Sequence, residues 1–266
     1  DVANPNFRFR PGLTSKVRTA ECTLQVCDSL WLNKSFKKEY LQKIADAPLR
    51  DKRYRYSCVG FILLQQVVEA RAGMPMDEFL AQEFYTPMGL KRTGYLPLRF
   101  LSKEEIVPSS VDPFLRKTVL QGFAHDESAA FQGGVSGNAG LFSTAEEVAQ
   151  IYQMLLNGGE LNGKRYLSKE TCQVFTTTVA KGCRRSLGFD KPDMQNPAKS
   201  PCALSAPASV YGHTGFTGTC AWVDPDNGLV YVFLSNRIYP EVWNAKLLKS
   251  DIRERIQEAM YRAVLK

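Results

Sequence analysis

The stretch YGHTGFTGT, residues 211–219, combines residue types that an acyl-transfer site uses. His213 could donate a hydrogen bond or a proton, or hold a carboxylate, and Thr214 could add a hydroxyl contact. Gly215 would permit close approach of a ligand, and the backbone N–H of Phe216 could help to stabilise an oxyanion. The alternative is a glycine-rich turn that carries a surface histidine.

A tyrosine stands just before a strongly apolar run in RYRYSCVGF, residues 53–61. A tyrosine close to a cation can act as a general base when its pKa is lowered, and Tyr56 is the candidate for that role. The alternative is that Ser57 caps a helix while Tyr56 is a packing residue. On this stretch alone the structural interpretation is the stronger one.

The second histidine lies in GFAHDESAAFQGGVSGNAGLFST, residues 122–144. His125 has two acidic neighbours in sequence, but such neighbours need not orient its ring. The glycines predict a backbone packed tightly against another part of the protein. The stretch lacks the lysine of a phosphate-binding loop, and Ser136 misses the Gly-x-Ser-x-Gly pattern by one place.

Apolar spacing predicts the helices that must position these residues. The clearest helix begins with a capping box, either Ser143 with Glu146 or Thr144 with Glu147. Residues 91–140 are expected to be a long loop region around a site, and the first fifty residues are otherwise hard to interpret. The predicted helices span residues 35–49, 58–73, 75–90, 143–159, 168–177 and 244–265.

Residues 219–237 predict a β-hairpin, because the turn DPDNG holds a proline and an Asn-Gly pair between two β-type runs. The run LVYVFL is too uniformly apolar for a strand wet on one face, so we expect it to be central or covered by helices. Helices grouped before this hairpin and one after it indicate the α+β class, with an antiparallel sheet flanked by helices.

The composition is that of an ordinary globular protein, with 266 residues, 44% hydrophobic and 23% charged. We expect no membrane span, because no apolar run is long enough, and no nucleic acid partner, because the net charge of +7 is scattered. Two histidines and no CxxC lead us to expect neither metal nor cofactor. The seven cysteines are expected to be mostly buried or inert thiols, although a Cys183–Cys202 disulfide is conceivable.

Three stretches, residues 54–95, 125–159 and 212–237, occur in an order that resembles the serine β-lactamase and penicillin-binding-protein-like hydrolases. The similarity is to the class C-like branch, and within it to the β-lactamase-like domain that follows a family 3 glycoside hydrolase domain in some bacterial proteins. It is clearest over residues 50–266. It implies a β-lactamase/transpeptidase-like fold, with residues 1–266 as the C-terminal portion of one such domain.

The resemblance also implies roles for single residues. The family carries a nucleophile in Ser-x-x-Lys that forms an acyl-enzyme, a second motif of the type Tyr-x-Asn, and a third motif, Lys-Thr-Gly or His-Thr-Gly, on a strand that lines the site. Tyr56 would then belong to the base system. The residues that would contact substrate or intermediate are Cys58, His213, Thr214, Gly215 and Phe216.

Two departures from the family pattern bear on activity. Cys58 stands where an asparagine usually contacts substrate, and a thiol is a weak hydrogen-bonding group. The sole Ser-x-x-Lys match, Ser35 to Lys38, lies much closer to Tyr56 than the family spacing requires. We therefore expect that the family's N-terminal part, with its nucleophile, early strands and central helix, is missing, and that the fold is incomplete there.

The resulting expectation is a β-lactamase-related serine hydrolase domain fragment that is inactive as it stands. The complete protein would hydrolyse an ester or amide of a small molecule or cell-wall peptide, in the periplasm or cell envelope. The alternative is a non-catalytic binding or assembly module that retains the family cleft. Expected partners besides substrate are a missing N-terminal segment or further copies of the chain.

Overall fold

The computed structural model describes residues 9–48, 54–179 and 183–265. Within these ranges no helix is long and apolar enough to cross a bilayer. The chain divides into two compact units, and each draws on three separate stretches of sequence. The first unit lies within Asp1–Pro87, Lys91–Phe142 and Tyr239–Val242, and the second within Met88–Leu90, Ser143–Ile238 and Trp243–Lys266.

The first unit begins with a three-stranded antiparallel sheet in the order β1–β3–β2. Val26 and Leu32, on its two longer strands, are buried against Ala130. The pairing of these two strands contains register shifts, so their residues do not alternate cleanly between polar and apolar, and no strand pattern is recognisable in this part of the sequence. The strands are β1 (Thr14–Ser15), β2 (Cys22–Cys27) and β3 (Leu30–Asn33).

The described residues of the first unit form four α-helices. The helix predicted over 58–73 is confirmed, and it ends at Gly73, whose φ of 70° is the left-handed conformation that glycine adopts at helix ends. The prediction over 75–90 is too long, because its helix passes into a π-helical turn over Ala81–Tyr85. The helices are α1 (Ser35–Ala45), α2 (Val59–Ala72), α3 (Met76–Leu80) and α4 (Glu127–Phe131).

The expected long loop over residues 91–140 contains more regular structure than its sequence suggests. Short strands pair antiparallel, and residues 97–99 and 103–105 form 3-10 turns. The expected tight packing of the glycines is confirmed: a Cβ at Gly137 would lie 2.1 Å from the carbonyl oxygen of Phe61 on α2. The strand pairs are β4 (Gly94–Tyr95) with β7 (Leu141–Phe142), and β5 (Ser110–Asp112) with β6 (Thr118–Leu120).

The second unit begins with the helix that the sequence predicted most clearly. Thr144 caps it, with its hydroxyl accepting from the N–H of Glu147 at 3.3 Å, so the N-cap is Thr144 and not Ser143. Ser168 caps the next helix through the N–H of Thr171. These elements are α5 (Ala145–Leu156), β8 (Glu160–Leu161), β9 (Lys164–Arg165) and α6 (Lys169–Thr176).

The predicted hairpin is confirmed and joins a third strand in the order β10–β11–β12. All five residues of the middle strand are buried, and Trp222 lies in the main core of the unit. The LVYVFL strand is at one end of this sheet, where α5 packs against it. The strands are β10 (Tyr211–Thr214), β11 (Cys220–Asp224) and β12 (Leu229–Phe233).

The C-terminal helix predicted over 244–265 is interrupted. Asp251 has a φ of 48°, a left-handed conformation that ends one helix and precedes the next. The two segments are α7 (Lys246–Lys249) and α8 (Ile252–Val264). The hydroxyl of Tyr231 on β12 donates to the carbonyl of Arg253, which ties α8 to the sheet.

All seven cysteines are free thiols, so the conceivable Cys183–Cys202 disulfide is not formed. Five of them are buried, as the sequence predicted. Burial raises the pKa of Cys202 to about 11 and that of Cys220 to about 12. These two thiols are therefore protonated near neutral pH and are poor nucleophiles.

Candidate functional site

Strand β10 presents His213 and Thr214 at its C-terminal end, paired with Ala221 and Cys220 of β11. Both side chains are half-buried. The preceding Gly212 is required by the packing, because a Cβ there would lie 2.0 Å from the carbonyl oxygen of Ala221. The tight pairing fixes the backbone from which His213 projects.

A compact turn follows the strand. The N–H of Gly215 donates to the carbonyl of Thr219 at 2.7 Å, and the N–H of Gly218 donates back to the carbonyl of Gly215 at 3.0 Å. The side chain of Phe216 is 61% exposed, with the guanidinium of Arg237 5.1 Å from its ring centroid, a cation–π contact. The His-Thr-Gly-Phe run is thus held by a rigid turn at the end of β10.

The imidazole of His213 has a partner on each nitrogen. Its Nε2 lies 2.9 Å from Nη1 of Arg185, and its Nδ1 lies 2.7 Å from the carbonyl oxygen of Thr214. The ring is therefore oriented by its own strand on one side and by a guanidinium on the other.

Arg185 is anchored by a buried carboxylate. Asp190, which is 2% exposed, accepts from Arg185 through Oδ2 at 2.8 Å. The same carboxylate accepts two hydrogen bonds from Arg184, at 2.7 and 3.0 Å, in a bidentate pair. Asp190 also exchanges backbone hydrogen bonds with Gly212, at 2.7 and 3.0 Å, so it is fixed to β10 itself.

Tyr56 and Cys58 lie just before α2 in the first unit. Tyr56 is 59% exposed, which contradicts the interpretation of this side chain as a packing residue. Ser57 accepts from the N–H of Val59 at 3.2 Å, but the N-cap position is Cys58, so the interpretation of Ser57 as the N-cap is wrong by one residue. Cys58 is half-buried at the N-cap position and makes no side-chain capping hydrogen bond.

The middle of α2 is hydrogen-bonded to the glycine-rich loop. Gln65, 1% exposed, accepts from the N–H of Gly137 at 3.1 Å and donates to the carbonyl of Val135 at 3.2 Å. The hydroxyl of Tyr95 donates to the carbonyl of Ser136. Burial raises the pKa of Tyr95 to about 12, so this phenol stays neutral near pH 7 and is not a general base.

Two other serines, Ser35 and Ser110, are hydrogen-bonded to side chains of catalytic types, but neither is in a position to act as a nucleophile. Ser35 is exposed at the start of α1, and its hydroxyl donates to Oε1 of Glu39 at 3.1 Å. The Oγ of Ser110 is 2.8 Å from Nδ1 of His125, but Ser110 is fully buried. A serine closed to solvent and substrate cannot serve as a nucleophile in this conformation.

The structure keeps His213, Thr214, Gly215 and Phe216 together on one strand and turn, and it keeps Tyr56 and Cys58 together before α2. Sequence reasoning missed Arg185 and Asp190. The only available signal was the basic pair Arg184-Arg185 ahead of an aspartate, and nothing in its spacing points to His213. Within the described ranges, no group of three His, Cys, Asp or Glu could hold a metal ion.

A family model described as Beta-lactamase matches residues 24–248. The chain belongs to the β-lactamase family. Its curated relatives include a "Putative D-alanyl-D-alanine carboxypeptidase" of Escherichia coli K12, 33% identical over 221 residues, which cover 77% of this chain and 51% of the relative. An N-acetylmuramyl-L-alanine amidase of Bacillus subtilis is 35% identical over 219 residues, which cover 77% and 49% respectively.

The β-lactamase/transpeptidase-like fold is confirmed by comparison with solved structures. A β-lactamase from Mycobacterium bovis superposes with a TM-score of 0.54 at 19% identity, over 80% of this chain and 65% of its own. The α+β class with small antiparallel sheets agrees with this. The β-lactamase-family chain spans about half the length of the curated relatives it matches.

Proposed function

We propose that these residues form the substrate-lining part of a serine hydrolase domain that cleaves amide or ester bonds of cell-wall peptides through an acyl-enzyme. The observation that carries the proposal is the end of β10, where half-buried His213 and Thr214 are fixed by the Gly212 pairing and the turn after Gly215. The names of both relatives describe amide hydrolysis. For such a substrate we propose a location in the periplasm or cell envelope.

In this proposal Thr214 donates its hydroxyl to the substrate, and the N–H of Phe216 helps to stabilise the oxyanion. His213 forms one wall of the site beside them. Tyr56 takes part in the base system, and its side chain is 59% exposed. Cys58 contributes at most a weak hydrogen bond at the position next to it.

We further propose that these 266 residues do not turn substrate over alone. Ser35, in the sole Ser-x-x-Lys, sits on the exposed face of α1 with its hydroxyl donating to Glu39. A nucleophile needs a base that takes its proton, within hydrogen-bond reach, and a site that excludes water. Without a nucleophile, only residual stabilisation of the reaction remains.

A fluorophosphonate activity probe tests the inactivity. We expect no stoichiometric labelling of any serine in the chain. Ser35→Ala is the matched variant: labelling that this substitution abolishes would identify Ser35 as the nucleophile and overturn the proposal. Labelling that survives it would place the nucleophile at another serine and overturn the proposal equally.

Binding tests the substrate-lining role. A D-alanyl-D-alanine peptide titrated into isotope-labelled protein should shift the resonances of His213 and Thr214, and Thr214→Val should weaken the affinity. Thr118→Val, a half-buried threonine on β6, serves as the control and should leave it unchanged. Equal affinity in all three proteins would contradict the assignment of β10.

A non-catalytic binding module is the second candidate, and the observation that favours it is Cys58 in place of a carboxamide. That module would bind penicillin or a muropeptide saturably without turnover. Addition of the unaligned part of the Escherichia coli relative separates the two candidates. Recovered hydrolysis would favour the enzyme, and binding without hydrolysis would favour the module.

A further inference from the structure

The two contacts of the His213 ring determine which nitrogen carries the proton. A guanidinium has five N–H donors and no acceptor, so Nε2, 2.9 Å from Nη1 of Arg185, must accept. A carbonyl oxygen only accepts, so Nδ1, 2.7 Å from the oxygen of Thr214, must donate. Both contacts demand the same form, the neutral imidazole with its proton on Nδ1, as assigned from the hydrogen-bond partners.

The protonated imidazolium does not fit this arrangement. It carries an N–H on each nitrogen, and the Nε2–H would point at the Arg185 guanidinium, donor against donor and charge against charge. The neutral tautomer with its proton on Nε2 meets the same clash and also leaves Nδ1 facing the Thr214 carbonyl without a proton.

The guanidinium that imposes this form is itself fixed. Asp190 accepts from Nη2 of Arg185 at 2.8 Å, which directs Nη1 at the imidazole. The backbone pairing of Asp190 with Gly212 holds that carboxylate beside the residue that precedes His213. Strand, carboxylate, guanidinium and imidazole therefore form one connected network inside the second unit.

We propose that Arg185 is a positioning residue that holds His213 as the neutral Nδ1–H tautomer, so that the positive charge at this end of β10 belongs to Arg185 and not to the histidine. The inference rests on the proposed function for its relevance to substrate, because His213 is proposed there to line the site. A neutral His213 whose Nε2 already accepts a hydrogen bond from Arg185 lines the site in one fixed orientation and does not transfer protons.

Nitrogen NMR of the imidazole rings tests the tautomer directly. The chain has two histidines, so the spectrum of His213→Gln identifies which signals belong to His213. At neutral pH we expect a protonated-type shift for Nδ1 and an unprotonated, acceptor-type shift for Nε2 of His213. A protonated Nε2, alone or together with Nδ1, would overturn the proposal.

Variants of the two neighbouring arginines test the cause. Arg185→Met keeps the length and removes the donors, and we expect the His213 ring to lose its single tautomer. Arg185→Lys supplies another cationic donor and should restore part of the Nδ1–H population. Arg184→Met is the matched control, because Arg184 forms a bidentate pair with the same carboxylate, and the tautomer should stay unchanged.

An Nδ1–H tautomer that persists in folded Arg185→Met would show that the Thr214 carbonyl suffices, and would overturn the role of Arg185. A backbone amide spectrum of each variant establishes that the fold is retained. Because the readout needs no turnover, a lost tautomer in these spectra and a lost substrate response in the titration are separate results.

Discussion

At the residue scale, Asp112 and Arg116 form an ion pair closed off from solvent in the first unit. Their side chains are 5% and 0% exposed, and Nε of Arg116 lies 2.6 Å from Oδ2 of Asp112. Loss of one partner from such a pair leaves a buried charge without compensation. We predict that Asp112→Asn lowers the free energy of unfolding by about 3 kcal/mol, measured by urea denaturation.

Glu160→Gln is the control for that prediction. Glu160 pairs with Arg165 at 2.9 Å, but both side chains are about half exposed, at 44% and 51%. An exposed pair contributes less than about 1 kcal/mol. Similar losses in the two variants would contradict the importance of burial.

The dependence of the free energy of unfolding on acidic pH should also change in Asp112→Asn. Burial alone would raise the pKa of Asp112, but the hydrogen bond and charge of Arg116 outweigh it and hold that pKa below its usual value. A lowered folded-state pKa stabilises the protein above the unfolded value, about 3.9, and this contribution is lost as the pH falls through the folded-state pKa. The difference between wild type and variant should therefore shrink below about pH 4.

Gly212 offers a second test at this scale. A Cβ at this position would lie 2.0 Å from the Ala221 carbonyl and 2.6 Å from the Trp222 ring. We predict that Gly212→Ala costs about 1–3 kcal/mol of stability and shifts the ring signals of His213. Gly60→Ala should be neutral or stabilise by up to about 1 kcal/mol, because Gly60 is exposed in α2 with no atom within 4 Å of the added carbon.

At the element scale, Thr144 decides where α5 begins. Its hydroxyl accepts from the N–H of Glu147, one of the first helical donors that has no partner within the helix. Thr144→Ala should therefore cost about 1 kcal/mol in thermal or urea unfolding. Ser143→Ala should stay within about 0.5 kcal/mol, since the N-cap of α5 is Thr144; equal losses would move the helix start to Ser143.

The elements that sequence predicted well are those specified by local chemistry. Thr144 and Ser168 cap helices, Gly73 ends one, and the Asn-Gly turn folds the hairpin. The sequence did not predict the strands whose pairing depends on residues distant in the chain. β2 and β3 bulge, and the strands within residues 91–140 are two or three residues long, too short for a periodic pattern.

The candidate site also contains a part that the sequence predicts and a part that it does not. The His-Thr-Gly run is readable because its residues are consecutive, and the hairpin that follows it places it on a strand. Arg185 lies 28 residues before His213, and it is anchored there by Asp190, which pairs with Gly212. No periodicity or spacing in one sequence encodes a contact of that kind. The roles of Tyr56, Cys58 and Phe216 stay predictions.

At the scale of the whole molecule, α2 presents an apolar face to solvent. Leu63, Leu64 and Val67 are 43%, 55% and 55% exposed, whereas Ile62 on the same helix is fully buried. Exposed apolar surface of this kind promotes association. We predict that Leu64→Gln with Val67→Gln reduces self-association in light scattering and binding of a hydrophobic dye, with little change in stability.

Ile62→Ala is the matched variant on the opposite face of α2. It should cost about 2–5 kcal/mol, because it removes a fully buried side chain. If the Leu64/Val67 double variant lost as much stability as Ile62→Ala, the face would be part of a core and the prediction wrong.

The chain passes back and forth between the two units, which limits where it can be cut into fragments that each contain a complete unit. Residues 239–242 belong with the first unit, where the carbonyl of Pro240 accepts from the N–H of Val111 at 3.2 Å, although about a hundred residues of the second unit precede them. Residues 88–90 belong to the second unit, although they lie in sequence between two segments of the first unit. A single cut at any peptide bond therefore leaves at least one unit without one of its segments. Circular permutants and two-fragment complementation, with termini placed in turns such as Asp226–Gly228, suit this chain better than conventional truncation.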